Sequence, residues 1–158
     1  MEQPSTEQLS AFAQSILKQQ PFAVKLGTRL DAFSSGHAEL SLPIVDDLRQ
    51  QHGFVHGGVL SYLADNALTF AGGSVLGDAL TVEFKINYLR PARGQGRLVA
   101  VADVIGQSKS QAVVRCDVFV ESVEGTRSHC AAAQGTIVKA LSAAKSADPA
   151  DAALRTTG

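Results

Sequence analysis

The chain has few of the residues that mark special chemistry: two cysteines, one methionine, two tyrosines and no tryptophan among 158 residues. Cys116 and Cys130 have no CxxC neighbour, so we expect two buried, reduced thiols. A formal net charge of −1 gives the chain no general attraction to nucleic acid or to an acidic membrane. The apolar runs are too short to span a bilayer and the first residues are polar, which predicts a cytoplasmic protein.

Several catalytic signatures are also missing. The sequence has no GxxxxGK[ST] phosphate loop and no GxGxxG after a strand, which excludes the common nucleotide-binding loops. It has no HExxH motif, and His52 and His56 precede a predicted helix rather than lie on it, so no metal site is expected. The absence of a GxSxG elbow argues against a nucleophilic serine.

What the chain does have is a run of small residues around one carboxylate, within residues 50–73. Gly57 and Gly58 open a predicted helix, and such an end presents free N–H groups and the positive pole of the helix dipole. Because the two glycines have no Cβ, a ligand has room to approach the backbone closely. The segment therefore predicts a site for an anion or for a developing oxyanion.

The predicted helix extends from near Gly57 to near the pair at 72–73 and is apolar over most of its surface. One polar stripe interrupts this surface, with three residues at a spacing of four and two residues beside them: Ser61, Asp65, Thr69, Tyr62 and Asn66. A carboxylate among small, closely packed residues needs a partner or a function. Asp65 is therefore the candidate catalytic group.

The spacing of the two candidate groups bears on assembly. Gly57 and Asp65 are eight residues apart, which is about 12 Å along a helix. A reacting carbonyl must lie about 3 Å from both its oxyanion donor and the attacking group, so one copy of the helix cannot supply both. Two antiparallel copies about a two-fold axis can. If both residues act on one atom, the sequence predicts a homodimer with composite sites.

The remaining sequence predicts an α+β domain in which an antiparallel sheet wraps around the long helix. A helical segment is expected at residues 1–25, with a helix at 6–19 that Pro21 ends. The domain is expected to span residues 26–139, with two strands before the helix and a four-strand meander after it: 26–33, 37–43, 79–89, 96–105, 110–122 and 127–138. Residues 140–158 lack large apolar anchors and predict a disordered tail.

Two segments carry a resemblance to a known family. Residues 53–65 read G-x-x-H-G-G-x-x-x-x-L-A-D, and residues 81–92 read T-x-E-F-x-I-N-Y-L-R-P-A. Together they resemble the hotdog-fold acyl-CoA thioesterases of the phenylacetic-acid-degradation (PaaI-like) type, over roughly residues 26–139. The resemblance implies a hotdog fold and hydrolysis of acyl-CoA without a separate cofactor. It also implies homodimers joined at their sheet edges, which often pair into tetramers.

The resemblance further implies roles for individual residues. The Gly57 N–H polarises the thioester carbonyl, and Asp65 of the other subunit acts as general base on water or as nucleophile. His56 matches the family histidine, which shapes the loop more than it carries the chemistry. Gln50 stands where the family often has an asparagine that orients substrate or water, and it offers the same amide groups on a longer arm. Thr81 matches a Ser/Thr position whose hydroxyl holds the water.

Substrate contacts are expected from turns and from the glycine loop. Coenzyme A carries phosphates, and basic or hydroxyl residues in turns suit charge-assisted contacts to them. The candidates for these contacts are Arg90, Arg93, Ser108 and Lys109. Gly58 gives the acyl group access to the backbone, and the expected pocket walls are Phe54, Tyr62, Asn66 and Phe70. Medium-chain, aryl-acetyl and hydroxybenzoyl thioesters all stay open as substrates.

Two other functions stay open. A hotdog-fold hydratase or dehydratase acts on the acyl β-carbon with a histidine and an acidic residue, and His56 and Asp65 fit those roles. A non-catalytic acyl-CoA binding protein would use the same pocket without turnover. The position of L-A-D after H-G-G favours hydrolysis over both.

Overall fold

A computed structural model describes residues 5–141 of the chain, and the remainder of the predicted tail, residues 142–158, lies outside them. Residues 5–141 form three helices and six strands, with a single 3₁₀ turn at Asp46–Leu48. In chain order they are α1 (Thr6–Lys18), α2 (Pro21–Leu26), β1 (Arg29–Ser34), β2 (His37–Pro43), α3 (Gly57–Leu76), β3 (Ala79–Tyr88), β4 (Arg97–Gln107), β5 (Gln111–Glu121) and β6 (Arg127–Lys139).

The six strands form one antiparallel sheet, and α3 contacts every strand of it. The helix can lie flat on the sheet because small and apolar residues face it, and Leu63, Ala64, Ala67, Leu68 and Ala71 have no exposed surface. Burial of this face supplies the main driving force for the fold. The predicted α+β hotdog arrangement, an antiparallel sheet around a long central helix, is confirmed.

The order of the strands corrects one expectation. The sheet runs β1-β2-β4-β5-β6-β3, so β3 does not begin a four-strand meander but pairs with β6 at the far edge. Residues 91–94 were expected as a hairpin turn, but they belong to a connection, residues 89–96, that crosses from that edge to the middle of the sheet. Turn chemistry predicts where a strand ends, but it does not specify which strand it pairs with. The ten-residue strand β3 is therefore an edge strand, and Leu80 and Val82 on it are 62 % and 61 % exposed.

The strand expected at residues 26–33 begins later than predicted. Pro21 does end α1, but it also opens α2, because its fixed φ suits the first position of a helix. Gly27 then closes α2 in the left-handed conformation, with φ 70°. Residue 26 is therefore the last residue of a helix, and β1 starts at Arg29. A six-residue helix is too short to show a clear apolar period.

Helix α3 also continues beyond its predicted end. The pair at 72–73 was expected to stop it, but the helix continues to Leu76 and ends at Gly77. Gly72 lies directly on β6, where a Cβ would stand 2.7 Å from Ile137. This glycine thus permits close packing of the helix on the sheet rather than helix termination.

The two cysteines are free and buried on β5 and β6, in agreement with the sequence. Burial raises the pKa of both thiols, and for Cys116 the neighbouring Asp117 and Asp103 raise it further. Both groups are therefore protonated and poorly reactive at neutral pH. Among residues 5–141, no group of three or more His, Cys, Asp or Glu is arranged to hold a metal ion. No helix in that range is long and apolar enough to cross a membrane.

The close approach at Gly72 can be tested by mutation. Gly72→Ala should lower the free energy of unfolding by about 1–3 kcal/mol, since overpacking outweighs the better helix propensity of alanine. Gly73→Ala is the matched control, because a Cβ there meets only Ala79 at 3.9 Å and should be neutral or stabilising. Urea unfolding at one protein concentration compares the two variants. Equal stability of both would contradict the packing described here.

Candidate active site

Helix α3 begins with a free donor. His56 is the N-cap residue, and its Nδ1 accepts the Gly58 N–H at 2.9 Å. The His56 carbonyl accepts the Val59 N–H at 2.9 Å. The N–H of Gly57 has no intrahelical partner at this position and no acceptor among residues 5–141. Of the two predicted glycines, Gly58 is thus engaged by the cap, and Gly57 offers its N–H to a ligand.

A pocket of about 330 Å³ opens at this end of the helix. Four predicted site residues line it: Gln50, Phe54, Gly57 and Arg90. Leu60, which no motif had indicated, adds a wall, as do Tyr88 and Leu89 of the segment at 81–92 that carries the family resemblance. The structure therefore brings the glycine loop, the start of α3 and the segment after β3 to a single site.

The loop before α3 is held in place by Arg49, a second residue that no motif had indicated. Its guanidinium donates to the carbonyls of Gly53 and Gly94, both at 2.9 Å. The planar fork of arginine suits such a double contact. Because Gly94 lies in the segment after β3, Arg49 fastens that segment to the glycine loop. The two sides of the pocket are thereby fixed relative to each other.

Two of the predicted residues make their clearest contacts at the edge of the pocket. Arg93 lies over the Phe54 ring, with 4.5 Å between the guanidinium carbon and the ring centroid, in a cation–π pair. Gln50 lines the pocket, but its side-chain oxygen accepts the His52 N–H within its own loop. The amide oxygen of Gln50 is thus used by the loop backbone.

Asp65 lies in the third turn of α3 beside two hydroxyl groups. Thr69 donates to the Asp65 backbone carbonyl at 2.9 Å, and its Oγ1 is 2.7 Å from the Oγ1 of Thr81. Because the Thr69 hydroxyl donates its proton to that carbonyl, the Thr81 hydroxyl is the donor in the hydrogen bond between the two threonines. The Oδ1 atom of Asp65 is buried and has no hydrogen-bond partner among residues 5–141. A buried carboxylate oxygen that accepts nothing is costly, so this atom is suited to accept a proton or a hydrogen bond.

Within one chain the structure does not bring Gly57 and Asp65 to the same pocket. Gly57 lines the pocket and Asp65 does not, and their separation along α3 is about 12 Å. Strand β3 connects the two regions, because Thr81 near its start lies beside the Asp65 turn and Tyr88 at its end contacts Gly57. The Tyr88 hydroxyl donates to the Gly57 carbonyl at 3.0 Å.

Tyr62 and Asn66, predicted as acyl-pocket residues, contact the N-terminal segment instead of the pocket at Gly57. The Tyr62 hydroxyl lies 2.8 Å from Thr28 Oγ1, and Asn66 donates to Gln20 at 3.1 Å. Phe22 packs edge-on against Tyr62 with 4.8 Å between ring centroids. In the single chain these two residues attach the N-terminal helices to α3.

Ser108 and Lys109 occupy the turn between β4 and β5, away from the pocket. The backbone of this turn is bonded to the end of β6, which pairs with the start of β3. Gly57 lies beside the last residue of β3, Tyr88. Ten strand residues span about 30 Å. Within one chain the turn and the pocket therefore lie near opposite ends of strand β3.

The part of the sequence that contains this site matches a known family. Residues 52–126 match the family model of the Thioesterase superfamily. That range includes all of α3 and β3, and with them both Gly57 and Asp65.

Solved structures and curated relatives agree with this match. A thioesterase family protein from Silicibacter pomeroyi has a TM-score of 0.77 and 31% identity, over 85% of this chain and 97% of that one. A point mutant of the phenylacetic acid degradation protein PaaI from Thermus thermophilus has a TM-score of 0.68 and 29% identity, over 77% of this chain and 100% of that one. A Haemophilus influenzae protein named only as a candidate esterase is 31% identical over 99 residues, 61% of this chain and 71% of that one.

The capping role of His56 predicts different results for two substitutions. His56→Ala leaves the Gly58 N–H without its acceptor and should lower the free energy of unfolding by about 1 kcal/mol, whereas His56→Asn restores a preferred N-cap acceptor. Urea unfolding measures both. The rate of thioester hydrolysis then separates the capping role from a chemical role: His56→Asn should keep most of the activity that His56→Ala loses. A stable but inactive His56→Asn would show that the imidazole itself is required.

Proposed function

The chain belongs to the thioesterase superfamily, whose hotdog fold and general activity of thioester hydrolysis it shares, and on that premise we propose that its substrates are acyl-CoA thioesters. The observation that carries the proposal is a single helix with an unused donor at its start and an unpaired buried carboxylate oxygen in its third turn. Hydrolysis of a thioester needs these two groups: a donor for the carbonyl oxygen and a base for water.

In the proposed reaction the Gly57 N–H and the helix dipole stabilise the oxyanion that forms when water attacks the thioester carbonyl. Asp65 removes the proton of that water. Thr81, whose own proton is engaged by Thr69, accepts the second water proton in a hydrogen bond and so orients the nucleophile. The C–S bond then breaks, Asp65 passes its proton to the departing thiolate, and the products are a free acid and coenzyme A. Direct attack by Asp65 would instead give an acyl-enzyme anhydride, and ¹⁸O from labelled water in Asp65 after a single turnover would identify that intermediate, because water that attacks the Asp65 carbonyl of the anhydride leaves its oxygen there.

The exposed edge of the sheet supports a homodimer. Strand β3 has ten residues, one unpaired edge and the exposed side chains of Leu80 and Val82, which makes it a ready template for another β-strand. A second copy of β3 satisfies its free N–H and C=O groups when the two strands run antiparallel about a two-fold axis. A tetramer built from two such dimers, which the family resemblance implies, stays a prediction.

Such pairing also completes the site. In each chain Tyr88 marks the Gly57 end of β3 and Thr81 marks the Asp65 end. If the two-fold axis passes near the middle of β3, Tyr88 of one protomer lies near Thr81 of the partner subunit. The donor of one chain then faces the carboxylate of the other, across the shared edge. Two identical composite sites result, and neither exists in a single chain.

The same pairing gathers the proposed coenzyme A contacts. Arg90 lines the pocket and Arg93 stacks at its rim, while Ser108 and Lys109 lie at the opposite end of β3 in the same chain. Antiparallel pairing brings the partner's turn toward the pocket, so both pairs of residues can contact one nucleotide. Arginine suits phosphate through its fork of donors, and lysine through its point charge. The acyl group then enters the space beside Phe54.

The geometry of His56 favours hydrolysis over hydration of an acyl β-carbon. A hydratase requires a histidine nitrogen that exchanges a proton with substrate. In this structure Nδ1 of His56 already accepts the Gly58 N–H, so the neutral ring carries its proton on Nε2. No lone pair of the ring is left for a base. A binding protein differs from an enzyme in that it binds the acyl-CoA but releases no thiol from it.

Loss of the base should abolish turnover without loss of structure. Asp65→Asn should lower kcat for acyl-CoA hydrolysis by at least about 10²-fold, the scale of a lost general base. Thiol release from aryl-acetyl, hydroxybenzoyl and medium-chain acyl-CoA measures it, and sedimentation checks that the dimer persists. Asp47→Asn is the matched control, because Asp47 is an exposed residue of the 3₁₀ turn. Full activity of Asp65→Asn would refute the proposed mechanism, and wild-type binding without thiol release would identify a binding protein.

The donor can be removed without removing the helix. Proline is favoured at the first helical position, and His56, with φ −59° and ψ 133°, already has the conformation required before proline. Gly57→Pro therefore deletes the N–H and should lower kcat by about 10²–10³-fold. Gly57→Ala is its control, because it keeps the N–H and places a Cβ 3.3 Å from the Tyr88 ring.

Mixing the two inactive variants tests whether the site is shared. In a heterodimer of Gly57→Pro and Asp65→Asn, one site has both defects and the other has neither. Statistical mixing should therefore restore about a quarter of wild-type activity. A site contained in one chain would give no recovery.

A further inference from the structure

Tyr88 contacts the start of α3 in two ways. Its hydroxyl donates to the Gly57 carbonyl at 3.0 Å. Its ring lies where a side chain of residue 57 would be, since a Cβ there would stand 3.3–3.5 Å from the Cζ, Oη and Cε1 atoms. Tyr88 also lines the pocket, yet it is 55 % exposed. A half-exposed hydroxyl that finds one particular carbonyl adds little to folding, because water would serve it nearly as well.

The peptide group between Gly57 and Gly58 is held from both sides. Its carbonyl accepts the Tyr88 hydroxyl, and its N–H donates to His56 Nδ1 at 2.9 Å. A peptide group is planar, so these two bonds together fix the orientation of the plane. Glycine by itself allows more backbone rotation than any other residue. Two consecutive glycines at a helix start therefore need such external contacts.

The direction of the oxyanion donor depends on this plane. The Gly57 N–H belongs to the preceding peptide group, whose carbonyl is held by the Val59 N–H at 2.9 Å. The two planes meet at the Gly57 Cα, and an oxyanion donor acts only if it is aligned before charge develops. Once the second plane is fixed, rotation about Gly57 cannot turn the N–H away from the pocket.

We propose that Tyr88 is a positioning residue for the oxyanion donor, acting through its hydrogen bond to the Gly57 carbonyl. This inference rests on the proposed function, in which the Gly57 N–H stabilises the thioester oxyanion. The hydrogen bond from Tyr88 should stabilise the transition state, in which the Gly57 N–H meets a developed negative charge. It should have little effect on binding of the uncharged thioester.

The test is Tyr88→Phe, which keeps the ring against Gly57 and removes only the hydroxyl. We expect kcat to fall about three- to tenfold, the size of one neutral hydrogen bond, with KM unchanged within about twofold. The midpoint of urea unfolding should stay close to that of the wild type. Thr136→Val is the matched control: it removes a hydroxyl that donates to Glu83 at 2.6 Å on the same sheet, and kcat should not change.

A spectroscopic readout reports the peptide itself. In ¹⁵N-glycine-labelled protein, the Gly58 amide belongs to the peptide that Tyr88 holds, so its resonance should shift in Tyr88→Phe. An unchanged kcat, or a raised KM with unchanged kcat, would overturn the proposal, because Tyr88 would then be only a pocket wall. If wild-type protein releases no thiol from any acyl-CoA, the proposed function fails. The Gly58 resonance still tests the contact in that case, and an unchanged resonance would overturn it.

Discussion

The position of α3 on the sheet depends on the close approach of its backbone to one side chain of the sheet. Gly72 lets the helix backbone approach Ile137 of β6 more closely than a Cβ would allow, and the fully buried Ala64 and Ala67 extend the same flat face. This packing fixes the axis of the helix, and with it the place where its first turn meets the loop held by Arg49. Interiors packed at such density transmit small displacements, so the geometry at Gly57 depends on contacts that lie four turns away.

The sequence predicted those features that depend on neighbouring residues. Alternation and turn residues gave the bounds of β2, and the apolar period with its glycine pair gave the start of α3 and the polar stripe around Asp65. Features that depend on distant residues were not predictable in the same way. Nothing local specifies that β3 pairs with β6 or that Gly72 meets Ile137. Long-range contacts decide these, and a pattern within a short window does not contain them.

The same distinction applies to the site. Gly57 and Asp65 were predicted as site residues because the start of a helix and a carboxylate among small residues are chemically unusual wherever they occur. Arg49 and Tyr88 act by reaching across the fold, and an arginine before a loop or a tyrosine at a strand end is ordinary by itself. Period-two alternation does place Tyr88 on the face of β3 that carries Phe84 and Ile86, which is the one local signal of its contact with α3. Ser108 and Lys109 lie far from the pocket in one chain, so their proposed role depends on assembly.

The burial of Cys116 and Cys130 has a consequence for the product of the proposed reaction. Each turnover would release a thiol, and thiols in cells exchange with disulfides, including the oxidised form of coenzyme A. Exchange requires an accessible thiolate, and neither cysteine provides one, since they are 0 % and 1 % exposed and their pKa values are raised by burial. The protein should thus resist mixed-disulfide formation with oxidised coenzyme A, and its activity should be independent of the redox state of the coenzyme A pool.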